Sequence, residues 1–77
     1  MTEMVERVAT ALFAADGGTD WDSVHAKARA PWIRMAEVAI AAMREPTQVM
    51  LKAANDVGID QGPRDYWPAM IDAALIA

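Results

Sequence analysis

Asp22, Ser23 and His25 lie within four consecutive positions and are the residue types of a hydrolytic triad. In such a site the imidazole takes the hydroxyl proton while a carboxylate orients the ring. The spacing works against that chemistry. On a helix, Ser23 and His25 are two apart and face different directions, whereas Asp22 and His25, three apart, can pair. Nothing nearby offers an oxyanion hole or a phosphate cradle, so His25 reads as a surface residue among acids. No catalytic residue is assigned, and the chain is not expected to be an enzyme.

The second chemistry is that of the carboxylates. Asp16, Asp20 and Asp22 surround the first connection in the chain, and Asp56, Asp60 and Asp65 surround the last. Spaced acids can hold a divalent cation, but the Asp-x-Asp-x-Asp-Gly calcium loop is absent. With one histidine and no cysteine, His-rich and thiolate metal sites are excluded as well. Neither a metal nor a cofactor is expected. The ordinary role of these acids is to cap helices and solvate turns. Their functional reading is an acidic surface for a basic partner, strongest if the two turns share one side and their fields add. Trp21 sits between Asp20 and Asp22 and is the ring least committed to a core, so it joins the six acids as the expected partner contact.

Helices must carry these residues. Arg29, Trp32, Met35, Glu37, Ala39, Ile40 and Ala42 return 35 positions later as Arg64, Trp67, Met70, Asp72, Ala74, Leu75 and Ala77. A ring at the first position, Met three on and Ala seven on fall along one helical stripe. Two Trp-led amphipathic helices are therefore expected, with Trp32 and Trp67 in the core. Arg29 and Arg64, each three residues before a Trp, suit stacking on a ring or a bond to a neighbouring helix end. Two copies of a 35-residue repeat are too few for a solenoid.

Thr2 suits an N-cap for a first helix bearing Val5, Val8, Ala9 and Leu12 inward, with Phe13 on the shoulder and Asp16-Gly17-Gly18 as its end. A short second helix is expected from Thr19-Asp20, with Trp21, Val24 and Ala28 inward and ending before Pro31, and a third from Pro31 to Glu45 with Trp32, Met35, Ala36, Ala39 and Met43 inward. Thr47 opens a fourth helix carrying Val49, Met50 and Leu51, closed by Gly58. Asp65 caps the last, with Pro68 in its first turn. The fold class is all-α: one domain over 1–77, a compact bundle of four to five short helices without disulfides. Its expected core is Val8, Leu12, Trp32, Met35, Ala39, Leu51, Trp67, Met70, Ile71 and Leu75.

Composition limits what this bundle can be. The chain has 77 residues, and a domain of that size buries only about 60% of its unfolded surface. The 55% hydrophobic content overstates the core, because 17 residues are Ala and each buries little area. Stability is expected to be marginal or helped by self-association, as a monomer or small homo-oligomer. A net charge of −4 argues against binding nucleic acid directly or docking on anionic membranes. The longest apolar run, Val38 to Met43, is far below the roughly 20 residues of a membrane span. With no leader pattern at the start, a cytoplasmic location in a host cell is expected.

The string Trp32-x-x-Met35-Ala36-x-x-Ala39-Ile40-x-Ala42-Met43-Arg44-Glu45-Pro46-Thr47, with Trp67-x-Ala69-Met70-Ile71-Asp72-Ala73-Ala74-Leu75 and Met4-Val5-Glu6-Arg7-Val8-Ala9, resembles small proteins encoded by phages and prophages. Size and acidity are similar to those of anti-CRISPR proteins directed at type I systems. That resemblance implies a stoichiometric inhibitor of the surveillance complex, Cascade, occluding its Lys- and Arg-lined DNA groove. The partners would be basic surfaces of effector subunits, met by the acidic turns. Two other classes compete: a phage DNA-binding regulator, for which the helices carry few basic residues, and a virion or assembly accessory protein.

Overall fold

The computed structural model describes residues 3–76, with the backbone alone at Ile59. The expected cap at Thr2 and the helical place of Ala77 lie outside the described residues. The protein is all-α: among the described residues there are four α-helices and no strand, and with no cysteine there are no disulfides. The helices fall into two compact units that divide between Arg44 and Glu45, and each is a helix, a 3₁₀ turn and a second helix.

The first unit holds α1 (Glu3–Ala15), a 3₁₀ turn (Trp21–Ser23) and α2 (Ala26–Ala42). The end of α1 is a Schellman motif. Gly18 N–H donates to Phe13 C=O at 2.9 Å and Gly17 N–H to Ala14 C=O at 3.0 Å, while Gly17 takes φ 91°. Glycine adopts that left-handed conformation without a Cβ penalty, so the chain turns here. Gly18 is needed for a second reason: a Cβ on it would lie 2.5 Å from the Phe13 ring.

The second helix does not begin at Asp20, as the acids had suggested, nor does Pro31 divide it. Asp20 is left-handed (φ 56°) and Val24 is extended, so the helical path is interrupted on both sides of Trp21–Ser23. It restarts after His25, whose Nδ1 accepts from Lys27 N–H at 3.2 Å and caps α2. Pro31 is the sixth residue of that helix. It removes the donor for Lys27 C=O, but Lys27 and Pro31 are both exposed, so the carbonyl can turn to solvent.

The core of this unit is Ala9, Trp21 and Ala36, with Val5, Val8, Leu12, Phe13, Trp32 and Ile33 packed around it. Ala9 and Ala36 are fully buried, and small residues there let α1 and α2 approach closely. The inward stripe of α2 runs through Arg29, Trp32, Ile33, Ala36 and Ile40, all buried or half-buried. That corrects the expected face: Met35, Ala39 and Met43 are exposed. Alanine and large apolar residues occur nearly all round α2, so periodicity alone leaves its rotation open.

The second unit holds α3 (Gln48–Val57), a 3₁₀ turn (Ile59–Gln61) and α4 (Pro63–Ile76). Thr47 caps α3 as expected, its Oγ1 accepting from Met50 N–H at 3.3 Å. Gly58 (φ 100°) ends the helix, its N–H donating to Ala54 C=O at 3.0 Å. The start of α4 is earlier than Asp65. Pro63 takes the first position, where its missing N–H is harmless, and Pro68 lies inside the helix rather than in its first turn. Met50, Ala54 and Met70 form the core, with Tyr66 against it and Ile71 half-buried. Leu51, Trp67 and Leu75, expected inside, are exposed, Leu75 at 79%. A pair of helices has only one shared seam, and apolar residues off that seam stay outside.

Candidate functional site

Phe13, which sequence reasoning set on the margin of the core, is the hub of the first unit. Its ring meets Trp21 edge-on at 5.4 Å and Trp32 at 5.7 Å, near-perpendicular in both cases. Such T-shaped contacts match the positive edge of one ring to the negative face of the next. The signal in the sequence was its distance from the Gly17-Gly18 turn: the chain that folds back there brings Trp21 onto Phe13.

Trp21 therefore cannot be the partner contact expected of it. It is 8% exposed and is the most buried ring of the protein. Arg29 also holds it, donating from Nη2 to Trp21 C=O at 2.8 Å with its guanidinium carbon 5.1 Å from the ring centroid. The expected Arg–Trp stacking thus occurs, but on a Trp eight residues earlier rather than on Trp32. Trp21 Nε1 and Arg29 Nε are buried without a hydrogen-bond acceptor among the described residues, a polar cost within the core.

The Asp22, Ser23 and His25 group is dispersed by the same turn. Ser23 Oγ donates to Asp20 Oδ2 at 2.5 Å, and the His25 ring is turned to the Lys27 backbone. Ser23 and His25 each close a local turn, Asp22 is exposed, and no nucleophile–base hydrogen bond links Ser23 to His25 in this arrangement.

All six acids proposed as contacts are exposed: Asp16, Asp20 and Asp22 at the connection of the first unit, Asp56, Asp60 and Asp65 around that of the second. Two have local partners. Asp20 accepts from Ser23, and Asp56 pairs with Lys52 at 2.9 Å, an exposed i,i+4 ion pair that offsets part of its charge. Asp65 lies in the first turn of α4, where a carboxylate favours the positive end of the helix dipole. No group of three or more His, Asp or Glu side chains among the described residues is placed to hold a metal ion.

The surface feature that sequence reasoning missed is apolar. On α2, Ala28, Pro31, Met35, Val38 and Ala42 follow a three-four-three-four spacing along one stripe, and all are exposed. Val38 is 62% exposed and Met35 45%. On α4, Trp67, Ala74 and Leu75 are exposed beside the half-buried Ile71. No described helix is long and apolar enough to cross a membrane. Scans against family models, curated proteins and solved structures find no match to this chain.

Proposed function

We propose that this protein acts by binding another protein through its helical surface, without chemistry of its own. The observation that carries this reading is the balance of apolar residues. Ten large ones are exposed among the described residues, against six buried apolar residues of which three are alanine. Tryptophan and methionine on an exposed helical face are the residue types that anchor protein interfaces.

The specific target proposed is the type I CRISPR surveillance complex, with its basic DNA groove as the docking surface. The resemblance to phage proteins supports it, as do three exposed carboxylates at the connection of each unit. Attraction between such turns and Lys- and Arg-lined grooves would speed encounter and weaken with salt. A second reading, a phage assembly protein, is favoured by the apolar stripe on α2, because assembly subunits keep such faces for their neighbours.

A tagged pull-down from bacteria expressing a type I system, read by mass spectrometry, separates the two. Recovery of effector subunits, lost in an Asp16→Lys, Asp22→Lys double variant of unchanged helicity, supports the inhibitor. Those positions are chosen because Asp20, left-handed and bonded to Ser23, would strain its turn as lysine. Recovery of capsid or assembly proteins, with a defined oligomer by light scattering, overturns the inhibitor in favour of the second reading.

A further inference from the structure

We draw no further inference here: the strongest candidate, the exposed apolar stripe Ala28, Pro31, Met35, Val38 and Ala42 on α2, has nothing in the structure to show what covers it.

Discussion

The three tryptophans separate residue type from residue role. Trp21, between two aspartates, is buried at 8% exposure, while Trp67, at the head of an apolar stripe, is 46% exposed. Their truncations should differ accordingly. Trp21→Ala removes the ring that Phe13 and Arg29 both pack against and should cost about 3–5 kcal/mol. That is a large share of the roughly 4–12 kcal/mol that a chain of this length holds. Trp67→Ala should cost about 1–2 kcal/mol, since only part of its area leaves water. Urea unfolding of the two variants checks the order; equal losses would mean that Trp67 is covered in solution. Gly18→Ala tests the same cluster by steric means. The added methyl meets a Phe13 ring already held between Trp21 and Trp32, so the ring cannot move away freely. A loss of about 1–3 kcal/mol is expected, seen as a lower melting temperature.

At the scale of elements, what local rules decide was legible and what tertiary contact decides was not. Thr47 and Gly58 bracket α3 because a hydroxyl acceptor and a left-handed residue are each needed at one place. The C-terminal end of α1 follows the same logic through Gly17. The prolines misled for a physical reason. A proline disfavours the helical conformation in the residue before it, yet Ala30 is helical and α2 runs on through Pro31, its Trp21, Phe13 and Ala9 contacts outweighing the local cost. The 35-residue echo shows the reverse case. Trp32 is seventh in α2 and Trp67 fifth in α4, so the same motif starts at a different point of its helix. Met70 lies in the seam of its unit while its counterpart Met35 is exposed, because contact with the partner helix sets which face is buried. Pro31→Ala should restore the donor for Lys27 C=O and stabilise the protein by about 1–2 kcal/mol, the helix gain less the entropy returned to the unfolded chain. Thermal melts followed by far-ultraviolet circular dichroism would show it, and a lower melting temperature would mean that the proline ring packs against something at that face.

For the whole molecule, the acidic turns could be read from the sequence because charged residues are exposed almost by default. The apolar surface could not, since a large side chain on a helix reads as core until its neighbours are known. Whether that surface is free in solution can be decided by substitution. Val38 is 62% exposed, and a surface change of this kind normally shifts stability by no more than about 0.5 kcal/mol. Val38→Lys should therefore leave the melting temperature of dilute protein unchanged. A protein that covers this stripe with a partner copy behaves differently in two linked ways. Its melting temperature rises with concentration, because association draws only on the folded state, and a lysine ammonium buried in the contact removes that dependence. Concentration-dependent melting in the wild type, abolished by Val38→Lys, would make the stripe a self-association surface. Melting independent of concentration in both proteins would leave it open for a different protein, as the proposed binding function requires.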